Sequence, residues 1–332
     1  MSFSLEELAS ATDLVRRRVP ATPQYPWPLL GQRVGAQVWV KHENHTPTGA
    51  FKVRGGLVYA DRLRSQRPQV TGLVSATRGN HGQSIALAGK AAGLDVTIVV
   101  PQGNSADKNT AMRGFGAEVI EHGDDFQAAR EHSVALAHER GLEAVPSFHP
   151  DLVVGVATYA RELFDAAGEL DAVYVPVGMG SGICGLIRVR DLLGLHTKVV
   201  GVVADGAPAM ALSFAAGRAV STPSVDTLVD GVACRVPDAE AVATVNAGAD
   251  HIVAVSDDAT ADAMRMLFAT THNAAEPSGA IALAGLLAER EQHRGRRVAV
   301  IQTGGNADSA MFSAVLAGQP LGVTMSDRGR AT

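Results

Sequence analysis

The sequence has few of the features that mark secreted, metal-stapled or membrane proteins. Its 332 residues include only two cysteines, Cys184 and Cys234. Two are too few for a disulfide framework or a zinc cluster, so a reduced, cytoplasmic setting fits best. No apolar stretch approaches the roughly 20 residues of a membrane span. The acidic, amphipathic amino terminus is unlike a signal peptide, and the spacing of Ser4 and Glu7 predicts a capped helix instead.

The chain also lacks the excess of positive charge that nucleic acids and anionic membranes attract. Its 29 Lys and Arg and 34 Asp and Glu leave a net charge of −5, which argues against either as the main partner. At roughly 100–200 residues per domain, the length predicts two domains. No internal repeat or low-complexity tract is evident. The polar tail after Leu316 is predicted to be frayed or loosely docked.

What the sequence does contain is short apolar runs that alternate with helical patterns, in two series. The fold class predicted from this alternation is α/β, with two lobes that each hold an open, mostly parallel sheet with helices on both faces. The predicted strands of the first series are 72–75, 96–100, 118–121 and 144–145, and those of the second are 172–176, 199–203, 251–255 and 298–302.

Glycine-bearing loops follow several of these strands, where ligands of open α/β sheets bind. Residues 178–182 lie between a predicted strand and a predicted helix, so their N–H groups favour a phosphate, although a tight structural turn is the alternative. No Lys-Ser/Thr pair follows these glycines, so a nucleoside triphosphate is not indicated. Residues 75–83 are dense in hydrogen-bonding groups, although an ordinary helix cap is equally consistent with them. The Gly-Gly turn at 303–306 is weak evidence alone.

A fourth glycine-bearing segment, 49–56, carries Lys52 between Phe51 and Val53. A lone lysine is usually a solvated surface charge. In an apolar setting, however, its amine would lose its charge and become a nucleophile.

Taken together and in order, these segments resemble the fold-type II pyridoxal-phosphate (PLP) enzymes, in particular the threonine/serine dehydratase group, which has a tryptophan synthase β-like fold. The resemblance spans about residues 20 to 316. The matching motifs are the cofactor-lysine motif at 50–55, the Gly-Asn-His loop at 77–83, the phosphate loop at 178–182, and the segments 230–233, 276–280 and 303–306.

The resemblance implies a role for each matching position and PLP as the cofactor. Lys52 would form the Schiff base, Asn80 would hydrogen-bond the phenolic oxygen and Thr303 would face the pyridine nitrogen. The phosphate would be held by backbone N–H groups of Gly178, Met179, Gly180, Ser181 and Gly182. The substrate carboxylate would be received by Thr77, Gly79 and His81, and Glu276 would lie near the ring. Residues 1–40 plus 147–332 would form the large cofactor-binding domain, and 41–146 a small domain that closes over the substrate.

The implied activity is β-elimination of a 3-hydroxy amino acid such as L-threonine or L-serine. A hydroxyl such as that of Thr303 cannot keep the pyridine nitrogen protonated as a carboxylate would, so the ring is a weaker electron sink and prompt loss of the β-substituent is favoured. The Lys52 amine would remove the α-proton, and the released enamine would hydrolyse to a 2-keto acid and ammonia. The resemblance also implies a homodimer.

Two departures from the family pattern bear on the substrate and on metal binding. Arg78 occupies a position that is usually Ser or Ala, and in related racemases a serine there delivers a proton, so racemisation is disfavoured. Arg78 either points to solvent or reads a distal carboxylate or an aromatic group, as in 3-hydroxyaspartate or phenylserine. The strand at 201–204 lacks the glutamate through which some relatives bind a divalent cation, and only Asp205 follows it. No metal site is therefore predicted.

Two other classes of function remain as alternatives. A β-replacement synthase needs a site for an external nucleophile, and none is visible in the sequence. A catalytically silent PLP-binding protein is disfavoured because Lys52 and Asn80 are both intact.

Overall fold

The strands of the protein form two separate sheets in a computed structural model that describes residues 2–322. The described residues form two compact units, one of 2–3, 21–45 and 159–322 and the other of 4–20 and 46–158. Each unit contains one sheet. The sequence predicts that the tail after Leu316 is frayed, and residues 323–332 of that tail lie outside the described residues.

The larger unit holds a six-stranded sheet in the order β1-β2-β10-β7-β8-β9. All neighbouring strands are parallel except the edge pair β1 and β2, which is antiparallel. The strand bounds are β1 Gln24–Pro26, β2 Gln37–His42, β7 Ala172–Pro176, β8 Lys198–Ala204, β9 His251–Val255 and β10 Arg297–Gln302.

Helices of the larger unit pack on this sheet around a continuous apolar core. Tyr174, Val202 and Val300 of the strands and Ile281 and Leu283 of a helix are among its buried members. The helices are α2 Pro28–Val34, α8 Ser181–Leu192, α9 Ala209–Ala216, α10 Ala239–Gly248, α11 Asp257–Thr271, α12 Pro277–Ala288 and α13 Ser309–Leu316, with 3-10 turns at Glu43–His45, Asp230–Val232 and Arg290–His293.

The smaller unit holds a four-stranded sheet, all parallel, in the order β5-β4-β3-β6. Leu73, Ile85, Ile98 and Met112 form the centre of its core. Its strands are β3 Gly72–Ala76, β4 Asp95–Val100, β5 Glu118–Glu121 and β6 Glu143–Ala144. Its helices are α1 Leu5–Arg16, α3 Lys52–Gln66, α4 Asn80–Ala91, α5 Ala106–Gly114 and α6 Phe126–Arg140, and α7 Pro150–Ala167 contributes residues 150–158.

Local sequence signals explain several of these boundaries. The Ser4 hydroxyl accepts from the Glu7 N–H at 3.1 Å while the Glu7 carboxylate accepts from the Ser4 N–H at 2.8 Å, so the predicted capping box opens α1. Gly141 ends α6 at a φ of 65°, a left-handed conformation that glycine adopts without steric cost.

The predicted fold class is confirmed, with two parallel-sheet lobes and helices. The edge strand β1 and its neighbour β2 were not predicted. Both cysteines are free and buried. Among residues 2–322, no helix is both long and apolar enough to cross a membrane.

Candidate active site

The glycine loop 178–182 links the end of β7 to the start of α8. Gly180, the residue before α8, has a φ of 99°, which favours glycine. A Cβ on Gly178 would lie 2.6 Å from the Gly231 carbonyl oxygen, so that position also has no room for a side chain. The first N–H groups of a helix lack partners within it, and the helix dipole favours an anion there. The loop is therefore a backbone cradle that fits a phosphate group.

The other predicted cofactor positions of the larger unit meet at the start of α12. The Ser278 hydroxyl donates to Glu276 Oε1 at 3.0 Å, and the Thr303 hydroxyl donates to the Ser278 carbonyl at 2.9 Å. A Cβ on Gly231 would lie 2.5 Å from the Ser278 hydroxyl oxygen. Together with the contact of Gly231 with Gly178, this brings the phosphate cradle, Glu276 and Thr303 into one neighbourhood.

The hydrogen bond of Thr303 bears on the chemistry of the pyridine nitrogen. A hydroxyl has one proton, and that of Thr303 is given to the Ser278 carbonyl. A neutral pyridine nitrogen needs a donor, so Thr303 would have to exchange the Ser278 carbonyl for that nitrogen. Because a hydroxyl can rotate about its C–O bond, the residue fits the ring nitrogen without a change of backbone.

In the smaller unit, Lys52 and Asn80 are the first residues of α3 and α4. The two helix starts are tied together, since the Ser84 hydroxyl donates to the Lys52 carbonyl at 2.6 Å. Gly56 also allows the backbones to approach, because a Cβ there would lie 3.0 Å from the Ser84 carbonyl oxygen. Lys52 is half-buried, with its Nζ 5.2 Å from the centre of the Phe51 ring. The structure therefore places the predicted Schiff-base lysine at a helix start that is hydrogen-bonded to α4.

The loop before α4 brings together the residues predicted to receive a carboxylate. The Thr77 hydroxyl accepts from the Gly79 N–H at 3.1 Å, and both residues are buried. The His81 side chain is buried, and its Nε2 atom has no hydrogen-bond partner among the described residues. Arg78, in contrast, is exposed. An unsatisfied buried nitrogen beside a helix start indicates a site for a polar ligand.

His81 is held in its neutral form. Burial, reinforced by the positive charge of Lys52, lowers the pKa of His81 to about 3. The imidazole is therefore uncharged at pH 7, and one of its nitrogens can accept a hydrogen bond while the other donates.

This depressed pKa predicts a pH-dependent stability. An unfolded histidine binds a proton below about pH 6.5, whereas native His81 resists it down to about 3. The contribution of His81 to the free energy of unfolding is therefore complete above pH 6.5. Below that pH the free energy of unfolding falls by up to about 1.4 kcal/mol per pH unit, because the unfolded state binds a proton that the native state does not. We expect His81→Gln to flatten this slope in denaturant unfolding measured from pH 4.5 to 7. His138→Gln, at an exposed position of α6, is the matched control, and equal slopes for His81→Gln and wild type would contradict the prediction.

Sequence reasoning did not assign a role to three residues that support the site. Ser278 links Glu276 to Thr303, Ser84 holds Lys52, and the Tyr159 hydroxyl donates to the Gly182 carbonyl at 3.0 Å. Ser278 could have been found, since it lies in the matching segment 276–280. Within the part of the chain that the structure describes, no group of three or more His, Cys, Asp or Glu side chains is arranged to hold a metal ion.

Comparison with known proteins identifies a family whose model matches most of the chain. The family model described as "Pyridoxal-phosphate dependent enzyme" matches residues 15–304. An L-threo-3-hydroxyaspartate ammonia-lyase of Saccharomyces cerevisiae is 30% identical over 320 residues, which are 96% of this chain and 98% of that protein.

Two further comparisons broaden the range of activities among similar proteins. A biosynthetic L-threonine dehydratase of Salmonella typhimurium is 34% identical over 290 residues. These residues are 86% of this chain but only 56% of that longer relative. A solved structure of a PLP-dependent aspartate racemase is 27% identical and has a TM-score of 0.86, covering 93% of this chain and 97% of its own.

Proposed function

The chain belongs to the pyridoxal-phosphate-dependent enzymes, and from that premise we propose that it converts a 3-hydroxy amino acid such as L-threonine or L-serine to a 2-keto acid and ammonia. The family and the cofactor were predicted from the sequence, and both predictions are confirmed. The observation that carries the proposed activity is the match, over nearly the full length of both proteins, to a relative named as an ammonia-lyase.

The residues of the larger unit would hold the cofactor and set its electronic character. The N–H groups of loop 178–182 would bind the phosphate, and Thr303 would donate to the ring nitrogen. When bound, PLP supplies an electron sink for the electrons of the Cα–H bond. Because Thr303 is a hydroxyl and not a carboxylate, that sink is moderate, which favours elimination over reactions that need a long-lived carbanion.

The residues of the smaller unit would attach the cofactor and handle the substrate. Lys52 would bind the cofactor covalently, and its amine, once freed by the incoming substrate, would take the α-proton. Asn80 would hydrogen-bond the phenolic oxygen of the cofactor. Thr77, Gly79 and His81 would receive the substrate carboxylate, and the buried Nε2 of His81, which has no partner among residues 2–322, would be a suitable donor.

A second candidate substrate is 3-hydroxyaspartate, and a specific observation favours it. The relative from Saccharomyces cerevisiae that matches over almost its whole length is named for L-threo-3-hydroxyaspartate. Arg78, exposed beside the carboxylate loop, offers a guanidinium that would pair with a distal carboxylate. Racemisation is less favoured, because Arg78 cannot act as the proton donor that a serine supplies at this position.

A panel of substrates tests the proposal. We expect the purified holoenzyme to release equal amounts of keto acid and ammonia from L-threonine or L-serine, with L-threo-3-hydroxyaspartate and phenylserine as the other members. If Arg78 pairs with a distal carboxylate, Arg78→Ala should lower kcat/KM for 3-hydroxyaspartate about tenfold and leave threonine almost unchanged. Release of ammonia from none of the four, or conversion of an L-amino acid only to its enantiomer, would refute the proposed elimination.

We further propose, from the family resemblance, that the protein is a cytoplasmic homodimer. Light scattering of the purified protein in solution would measure the mass directly, and a monomer mass would reject the dimer.

A further inference from the structure

The side chain of Lys108 packs against the loop that is proposed to receive the substrate carboxylate. A Cβ on Gly79 would stand 2.9 Å from Lys108 Cδ and 3.5 Å from its Cε, so the side chain of Lys108 passes directly over the loop. Lys108 is half-buried and lies in the first turn of α5. No role for it was suggested by the sequence.

The position of Lys108 is fixed by the packing of α5 against α4. One turn after Lys108 on the same face, Met112 is fully buried and contacts the position where Gly82 would carry a Cβ. Asn109 is also buried and accepts from Asn104 at 2.6 Å. These contacts pack the start of α5 against α4 and so place the stem of Lys108 beside Gly79.

The charge of the loop explains why a lysine at this place matters. A carboxylate that leaves water for a buried site needs a compensating charge. His81 cannot supply it, because burial keeps its pKa near 3 and its ring neutral. Arg78 is exposed, and Lys52 is engaged with the cofactor under the proposed function. The start of α4 offers only the partial charge of its dipole.

We propose that Lys108 supplies the positive charge that balances the α-carboxylate of the substrate at loop 77–81. This inference rests on the proposed function, because it assigns a charge to the carboxylate site of that function. Lys108 would act by its charge and its position, together with the hydroxyl of Thr77 and the neutral ring of His81.

The experiment compares an amino acid with its uncharged amide. L-2-Aminobutyrate and L-2-aminobutyramide lack a β-hydroxyl and so cannot undergo elimination of water. Each is titrated into the holoenzyme, and the change of its visible spectrum gives a Kd. We expect wild type to bind the acid more tightly than the amide, so the Kd of the amide divided by the Kd of the acid exceeds one. Lys108→Met should lower this ratio about tenfold. Lys108→Arg, which keeps the charge, should stay within about threefold of wild type.

Lys90→Met is the matched control, because the side chain of Lys90 also packs against a glycine of the smaller unit. Its Cδ atom would lie 3.1 Å from a Cβ on Gly116. Its ratio should equal that of wild type. If Lys108→Met loses the cofactor band, Lys108→Gln replaces it as the uncharged variant. If both uncharged variants lose the band while Lys108→Arg keeps it and prefers the acid, the result still supports a need for positive charge at this position.

An unchanged ratio in a folded, uncharged variant overturns the inference, as does loss of the band in all three Lys108 variants. Failure of the proposed function is a different result, in which wild type itself shows no spectral change with either ligand.

Discussion

Lys52→Ala should abolish the visible absorption band of the purified enzyme and lower its turnover by at least about a thousandfold. The side-chain amine at this position is proposed both to attach the cofactor and to move the α-proton, and alanine can do neither. Since Lys52 is the first residue of α3 and is half-buried, the substitution removes an amine without opening a cavity in the core. The fold should therefore survive the change.

Borohydride reduction makes the test specific to the residue. Treatment of wild type followed by proteolysis should leave the cofactor on the peptide that contains Lys52, as read by mass spectrometry. Lys90→Ala, at an exposed position of the same unit, should retain the visible band and the labelled peptide. A band that persists unchanged in Lys52→Ala, or label found on another lysine, would contradict the assignment of Lys52.

Several parallel strands of both sheets could be predicted from the sequence because their signal is local. The runs 118–121, 172–176 and 251–255 were predicted with the bounds that the structure has. Each has β-branched or apolar residues at its centre and ends at a turn, which is a local pattern typical of a strand. Strand β7 is buried inside its sheet, whereas β5 and β9 are edge strands that are only partly buried. Such a strand needs no information from distant residues to be recognised.

Strand β2 was missed because its stability depends on a distant partner. It ends in Lys41 and His42, polar residues that interrupt the apolar pattern of a buried strand, yet both are buried. Lys41 is accommodated by Glu162, which lies 121 positions away along the chain, and His42 bonds Gln302 at 2.8 Å. Sequence patterns of one segment cannot reveal that such a partner exists.

The same distinction applies to the candidate site. The order of the motifs indicated the loops of the candidate site, since each supplies groups suited to one part of the cofactor. It did not indicate the hydrogen bonds that connect them, such as that of Thr303 with Ser278 or of Ser84 with Lys52. The direction of Arg78 was likewise left open by the sequence, and the structure places it in an exposed position.

A cluster of buried charge in the larger unit should dominate the stability of that unit. Lys41 Nζ lies 2.6 Å from Glu162 Oε2 and 3.9 Å from Glu43 Oε1, and it donates to the Thr22 carbonyl at 3.0 Å. The side chains of Lys41 and Glu43 are 0% exposed, and that of Glu162 is 2% exposed. The Thr22 hydroxyl also donates to Glu43 Oε1 at 2.6 Å. One ammonium group is thus set among two carboxylates, away from water.

We therefore expect Lys41→Met to lower the free energy of unfolding by about 3–5 kcal/mol, as when one partner of a buried ion pair is removed. Methionine fills most of the volume, so the loss comes from removing a positive charge that lies between two buried carboxylates and not from a cavity. Guanidinium unfolding followed by circular dichroism would measure it. Lys198→Met, which breaks a surface pair with Asp250 at 3.2 Å where the lysine is 61% exposed, should cost less than about 1 kcal/mol.

Lys41→Met combined with Glu162→Gln should recover part of the lost stability, because the double variant buries one negative charge fewer at the place where the ammonium was removed. Equal losses for Lys41→Met and Lys198→Met would show that the buried cluster does not hold this part of the sheet together. Partial recovery in the double variant would instead identify the loss as electrostatic, because a purely steric effect of methionine would persist when Glu162 is neutralised.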